Sequence, residues 1–168
     1  MKMNSIFNSS GKRFEESSIL MEFVRMALEK AYAEERAKLV RCGKEAAALR
    51  CQYPGGNIPY GFTVDKKTGE YTINEEEAQN VRLVFAMIAS GASLDTALWY
   101  LGKVGAKTKS GNDFTRSALR KMLRNERYNG VYTYNTNKSV DKQIRIPGGM
   151  PRIVDEKVFG AVQAMLTH

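Results

Sequence analysis

Cationic side chains recur at helical spacing between Ser110 and Gly130. At about 100° per residue, one arc of a helix would carry Ala118, Leu119, Met122 and Leu123. The opposite arc would carry Arg116, Arg120, Lys121, Arg124 and Arg127. Only Asp113 and Glu126 are acidic in this stretch, whereas an ordinary solvated face, the alternative interpretation, mixes both signs. The pattern predicts a helix with one face in a core and the other toward an anion, for which phosphate is the obvious candidate.

Two further lysines precede this helix, in a polar turn that contains glycine and leads to Thr115, a good N-cap residue. Arginine can read guanine edges with two hydrogen bonds, and lysine more often meets phosphate. Phosphate contacts usually outnumber base contacts, so the lysines of the turn belong with the set. The predicted DNA-contacting residues are Lys107, Lys109, Arg116, Ser117, Arg120, Lys121, Arg124 and Arg127.

Residues that could perform covalent chemistry are sparse. The only histidine is the terminal His168, so no Ser-His-Asp arrangement can be assembled convincingly. Cys42 and Cys51 match neither zinc-site nor disulfide-framework spacing. The acids Glu75 to Glu77 are better explained as helix-start residues than as metal ligands. We therefore expect no catalytic residue, no metal site and no cofactor in this chain.

The composition is basic and sufficient for a folded core. The net charge is +8 and 43% of the residues are hydrophobic, which favours nucleic acid or an anionic surface as a partner. Acids outnumber bases from residue 61 to residue 96, so the positive charge is concentrated in the segment that follows. No apolar run approaches the roughly 18 residues of a membrane span, and no signal-peptide region is present. We expect a soluble cytoplasmic protein without a membrane partner.

The first third of the chain reads as one long helix. From Phe14 to Arg50 there is no proline and a single glycine, which predicts a helix on the order of 50 Å long. An apolar stripe runs along its first half, through Ile19, Leu20, Phe23, Val24, Ala27, Leu28 and Ala31. Such a helix packs either on another folded unit or on a copy of itself, and its exposed apolar surface predicts self-association.

A hinge or linker is predicted over residues 53–61, where prolines and glycines cluster. Alternating apolar residues on both sides of 66–69 then predict a hairpin. Asn74 is expected to cap a helix, with Glu77 at the capping-box position and Gly91 at its end. The buried face of this helix is predicted to comprise Ala78, Val81, Val84, Phe85 and Ile88.

A third helix is expected to begin at Ser93, and with the cationic helix it forms a helix-turn-helix-like pair. Residues 131–134 and 143–146 then predict a second strand pair, resembling a wing, with lysines in its polar tip. Tyr128 is expected in the core, and Asp155 is expected to cap a last helix. The predicted class is α+β and mainly α: a helical DNA-binding domain with small β-hairpins, preceded by the long helix.

Three segments in order resemble the recombinase domain of the large serine recombinases, the phage integrases and transposon resolvases that use a serine nucleophile. They are GGNIPYGF at 55–62, INEEEAQNVRLVF at 73–85 and SGNDFTRSALRKMLRNERYNGVY at 110–132. Residues 33–41 are similar to the last part of the long helix that ends that family's catalytic domain. Gly102, Phe114 and Phe62 depart mildly from the family pattern, which leaves the target sequence rather than the fold in question.

The resemblance implies a domain organisation and a function. Residues 1–52 would be the C-terminal end of the catalytic domain's long helix, and residues 53–168 the recombinase DNA-binding domain. The nucleophilic serine would lie upstream, so we expect this chain alone neither to cut nor to join DNA. The implied role is to position a site-specific recombinase on its attachment site for strand exchange. The alternative is a dimerisation and synapsis module with little sequence specificity; the implied partners are double-stranded DNA and further copies, as a dimer or as a tetramer in the parent synaptic complex.

Overall fold

The computed structural model describes residues 12–166. Contacts divide the chain into a unit that ends at Gly43 and a unit that begins at Lys44. The domain boundary between residues 52 and 53 stays a prediction. Among residues 12–166, none of the helices combines the length and the apolar character that crossing a bilayer requires.

The first helix, α1, extends over Lys12–Leu49 and confirms the long helix predicted from the sequence. Its apolar stripe faces solvent within the first unit. Phe23 is 61% exposed and Leu28 is 52% exposed, and the neighbouring apolar residues of the stripe are similarly open. Side chains of this size are normally covered in a folded protein, so the stripe is an unpartnered apolar surface of this unit.

The second unit is mainly helical, with two small antiparallel hairpins, which confirms the predicted fold class. Its elements are β1 (Phe62–Val64), β2 (Tyr71–Ile73), α2 (Glu75–Ala89), α3 (Leu94–Lys103), α4 (Arg116–Leu123), β3 (Val131–Tyr134), β4 (Ile144–Pro147) and α5 (Glu156–Leu166). A 3₁₀ turn over Glu126–Asn129 joins α4 to β3. A second 3₁₀ turn, Val140–Lys142, lies between β3 and β4.

The core is built around α2. The predicted buried face of α2 is confirmed at every position, and α5 packs against α2 with the Phe85 and Phe159 rings stacked 5.9 Å apart. Tyr128 is 2% exposed, and its hydroxyl donates a hydrogen bond to the Tyr60 carbonyl at 2.9 Å. Burial raises the pKa of the Tyr128 phenol. Tyr128 is therefore a core residue, as predicted. Burial of a large apolar side chain in such a core stabilises the fold by about 1.5–3 kcal/mol.

The start of α2 differs in one respect from the sequence expectation. The Asn74 side chain accepts the Glu77 N–H at 3.3 Å, as an N-cap should. The return bond of the capping box is absent, because the Asn74 N–H already donates to the Gly61 carbonyl at 3.0 Å. The Glu77 carboxylate instead accepts the Gly61 N–H at 2.7 Å. Glu77 therefore joins α2 to the chain that enters β1.

The segment predicted as a hinge is fastened at both ends within the second unit. The Tyr53 N–H donates to the Gly69 carbonyl at 2.8 Å, in the β1–β2 turn. At the other end, the Tyr60 ring lies 5.0 Å from the Phe114 ring in an edge-to-face contact. These contacts hold residues 53–60 between the β1–β2 turn and the loop that precedes α4.

The second hairpin matches its predicted strands, with β4 shifted by one residue. Val131 pairs with Pro147 and Thr133 pairs with Arg145 across the two strands. Gly130 precedes β3 with a φ of +83°, a left-handed conformation that glycine adopts without strain. The Met150 N–H donates to the Gly130 carbonyl at 3.2 Å, which closes the base of the hairpin.

Candidate nucleic-acid interface

The cationic helix α4 is short and well defined. Thr115 caps it by accepting the Ala118 N–H at 3.2 Å, as the sequence predicted. Leu119 and Leu123 are fully buried on its inner face, and Met122 is nearly so. Because α4 packs against α3 through this face, the two helices form the expected helix-turn-helix-like pair. The opposite face of α4 is left to solvent.

The predicted continuation of this helix to Arg127 is wrong. Asn125 has an extended backbone, with φ −84° and ψ 108°, and its side chain accepts the Arg127 N–H at 3.2 Å. An asparagine that bonds its own downstream backbone competes with helix propagation, so the chain starts a new turn here. The Arg127 guanidinium is half-buried and donates to the Thr133 hydroxyl at 3.1 Å and to the Thr133 carbonyl. Arg127 therefore fastens the turn to β3 and does not share the outer face of α4.

Three cations of the predicted set, on α4 and at its C-terminal end, are exposed and, among the described side chains, unpaired. Arg120, Lys121 and Arg124 are exposed, and none of their side chains forms an ion pair or hydrogen bond with residues 19–140 or 142–166. Ser117 is exposed beside them, one turn earlier. Unpaired cations on a rigid helix can bind phosphate oxygens or guanine edges without first breaking a contact in the protein. This surface, formed by Ser117, Arg120, Lys121 and Arg124, is called the α4 face below.

The other three predicted contacts are paired with carboxylates. Arg116 donates to Asp95 of α3, and Lys107 lies 2.5 Å from Asp113. Lys109 lies 2.6 Å from a Glu77 carboxylate oxygen, and this pair is the least exposed of the three. Exposed ion pairs contribute only about 0–1 kcal/mol, so a phosphate can replace Asp95 or Asp113 at small cost. The Lys109–Glu77 pair instead ties the loop before α4 to the start of α2.

Replacing Asp95 with asparagine is expected to tighten binding to duplex DNA by about threefold at low salt. The change releases Arg116 and removes one negative charge beside the α4 face, and a surface pair of this kind is worth about 0.2–1 kcal/mol. Fluorescence anisotropy with a labelled duplex of mixed sequence would measure the change. Glu70→Gln, in the β1–β2 turn, removes the same charge elsewhere and should have a smaller effect. Equal tightening by both variants would show that only net charge matters.

A groove of about 710 Å³ lies between residues 56–60 and α4. Asn57, Lys109 and Lys121 line it, together with the apolar surface of Ile58 and Phe114. The groove thus adjoins the α4 face and adds amide and ammonium donors, which suit phosphate oxygens. Within residues 12–166, no cluster of three histidine, cysteine, aspartate or glutamate side chains could hold a metal ion.

Sequence reasoning missed the acidic partners Asp95 and Glu77. Both belong to helices other than α4, and Glu77 is separated from Lys109 by 32 positions in the chain. Periodicity reports which residues share a helix face and carries no signal for a pairing between elements. Only the packing of α3 beside α4, and of the loop before α4 beside the start of α2, brings these carboxylates to the cations.

Comparison with known proteins bears on this arrangement. A family model described as Recombinase matches residues 75–168, more than half of the chain. The fold is similar to the crystal structure of an LSR–DNA complex, with a TM-score of 0.58 and 24% identity over 75% of this chain and 36% of that one. A structure from work on the sequence requirements of the Listeria innocua prophage attP site has the same TM-score and identity, over 75% of this chain and 50% of that one. The chain thus spans half or less of these structures. No curated protein sequence matches it.

Proposed function

Since the chain belongs to the Recombinase family and shares its fold with large serine recombinase structures, we propose that it is the DNA-binding domain of a site-specific recombinase. Its role is to position the parent enzyme on an attachment site. The observation that carries this proposal is the α4 face, with three unpaired cations on a helix whose other side lies in the core. A cationic face held rigidly by a core is suited to a polyanion whose charges lie at fixed spacing.

The proposed contact is α4 in the major groove of the duplex. That groove is about 12 Å wide and admits an α-helix, whose diameter with side chains is about 10–12 Å. Arg116 and Ser117 lie at its N-terminus, where recognition helices usually meet base edges. Arg120, one turn further, extends the same face, and Arg124 at the helix end is placed for the phosphate backbone.

We assign positioning to this chain and strand cleavage to another part of the parent protein. The resemblance to the large serine recombinases implies a nucleophilic serine in a catalytic domain upstream of the long helix. Both structures compared with this chain are larger, which fits a domain that acts within a longer enzyme. The proposed division therefore makes the α4 face responsible for where the enzyme acts.

Selection from a random duplex pool tests the proposal. The chain is incubated with the pool at low and high salt, and the bound duplexes are sequenced. We expect one enriched site and binding that weakens steeply with salt, because each phosphate contact releases counterions. Salt-sensitive binding without enrichment would restrict the role to backbone contact. Absence of duplex binding at low salt would overturn the proposal.

A second candidate function, assembly of the parent complex through α1, is favoured by the exposed apolar stripe. Ile19, Phe23 and Val24 are each more than half exposed in the first unit. Pairing of two such stripes would remove this surface from water, and apolar pairing does not weaken as salt rises. The two functions are compatible, and they separate experimentally because only DNA binding should depend steeply on salt.

Replacing Phe23 with glutamate is expected to weaken self-association of the chain by at least about tenfold in dissociation constant. The substitution places a charge in the stripe and removes the burial of a phenylalanine, which is worth about 1.5–3 kcal/mol per copy. Sedimentation equilibrium at high salt would measure it. Tyr32→Glu is the matched control, because Tyr32 is equally exposed and lies about 180° around the helix. A monomeric wild-type chain, or equal loss in both variants, would contradict assembly through this stripe.

A further inference from the structure

The cleft between the end of α4 and the β3–β4 hairpin is strongly cationic. It encloses about 540 Å³ and is lined by Arg124, Arg127, Arg145 and a single acid, Glu126. Gln143, near the start of β4, adds a side-chain amide to the same lining. Three guanidinium groups against one carboxylate leave the cleft with excess positive charge. Guanidinium groups match the oxygens of a phosphodiester in shape and charge.

Two charged contacts fix the hairpin relative to α4, and both involve the same cross-strand residue pair of the hairpin. Arg127 donates to the Thr133 hydroxyl and carbonyl, and Arg145 donates to the Glu126 carboxylate at 2.6 Å. Thr133 and Arg145 are directly opposed across the two strands. The turn that follows α4 is therefore bound to both strands of the hairpin at the same level. This arrangement sets the spacing between the α4 face and the hairpin before any ligand arrives.

The tip of the hairpin carries two lysines and one acid, Asp141, and is internally bonded. Lys138 and Lys142 are exposed, and neither forms an ion pair with a side chain of residues 19–140 or 142–166. Between them Val140 is 80% exposed, the most open large apolar side chain among residues 19–166. The Gln143 side chain donates to the carbonyls of Lys138 at 2.7 Å and Thr136 at 3.3 Å, which closes the tip.

We infer that the β3–β4 hairpin is a second DNA contact, a wing that holds the sugar–phosphate backbone beside the strand met by α4. In this arrangement one phosphodiester occupies the cleft between Arg124 and Arg145. The tip continues along the backbone, with Lys138 and Lys142 on successive phosphates and Val140 against the sugars. The inference rests on the proposed function and extends its contact surface beyond α4. It follows from the fixed spacing, because a duplex seated on the α4 face must pass the cleft that begins at Arg124.

The test compares two double variants with the same charge change on the two hairpins. Lys138→Gln/Lys142→Gln removes two positive charges from the tip of the wing and leaves Asp141 in place. Lys66→Gln/Lys67→Gln removes two positive charges from the β1–β2 turn, where both lysines are exposed and Asp65 stays in place. Binding of the 168-residue chain to a labelled duplex of mixed sequence is followed by anisotropy across a salt series. We expect the wing variant to bind about tenfold more weakly at moderate salt and to lower the log–log salt slope by about 2, since each lost phosphate contact removes about 0.9. The control should retain the wild-type slope.

Hydroxyl-radical footprinting on the same duplexes supplies an independent readout. The wild-type chain should protect sugars beside the α4 contact that become reactive with the wing variant. Wild-type binding with an unchanged slope and footprint in the wing variant would overturn the wing and leave the proposed function standing. Equal losses in both double variants would also overturn it, since only bulk charge would then act. A wild-type chain that binds no duplex would overturn the proposed function and the wing together.

Discussion

Replacing Arg120 and Arg124 with glutamate is expected to reduce duplex binding by at least about 100-fold. Each direct base or phosphate contact of this kind is worth about 1–3 kcal/mol, and reversed charges additionally repel the backbone. Both side chains are exposed and form no ion pair or hydrogen bond within residues 19–140 and 142–166, so no such contact is lost with them. Glutamate near the end of a helix is unfavourable by about 0.3–1 kcal/mol. The chain should therefore remain folded, with a melting temperature only a few degrees lower.

Two further variants separate the α4 face from net charge and from helix stability. Lys66→Glu/Lys67→Glu changes the net charge by the same amount in the β1–β2 turn and should weaken binding far less. Arg120→Gln/Arg124→Gln removes both guanidinium groups, so it should lose most of the DNA binding. Because it adds no negative charge at the helix end, its stability should equal that of the wild-type chain. Anisotropy titrations, with circular dichroism melts of each variant, give both quantities. Wild-type affinity in the glutamine variant would place the binding site elsewhere on the chain.

Local signals account for the parts of the fold that the sequence predicted. Asn74, Ser93 and Thr115 each cap a helix by accepting an N–H three residues later, and such contacts need nothing outside one turn. The buried face of α2 followed from the 3.6-residue period, and the two hairpins followed from alternation around polar turns. These features depend on neighbours a few positions apart, which the sequence displays directly.

The candidate site could be predicted only in part, because some of its contacts join residues that are far apart in the sequence. Arg120, Lys121 and Arg124 could be placed on one solvent face because α4 alone determines that face. The partners of Arg116 and Lys109 come from α3 and α2, so helical spacing could not predict which cations are already paired. Arg127 followed the helical period in the sequence, but the local bond from Asn125 ended the helix first.

Replacing Gly149 with alanine is expected to destabilise the chain by about 1–3 kcal/mol, the usual range for forcing a methyl group into a packed site. A Cβ at this position would lie 2.5 Å from the Cys51 sulfur, 2.8 Å from the Tyr132 Cβ and 3.1 Å from the Ile146 carbonyl oxygen. The Tyr132 and Ile146 atoms belong to the β3–β4 hairpin and cannot move without disturbing its ladder. The glycine is therefore required by close approach, since its φ is not in the left-handed range.

The same substitution at Gly102 gives a control of opposite sign. Gly102 lies within α3, and an added methyl group would have no neighbouring atom within 4 Å, so alanine there should stabilise the chain by about 0.5–1 kcal/mol. Urea unfolding of both variants would measure the difference.

Cys51→Ala in the Gly149→Ala background removes the nearest clashing atom and should restore part of the loss. Because the Tyr132 hydroxyl also donates to the Gln52 carbonyl at 2.8 Å, residues 51–52 cross the hairpin at this point. Gly149→Ala should therefore loosen the base of the hairpin, and a neutral effect on stability would show that this crossing is not closely packed.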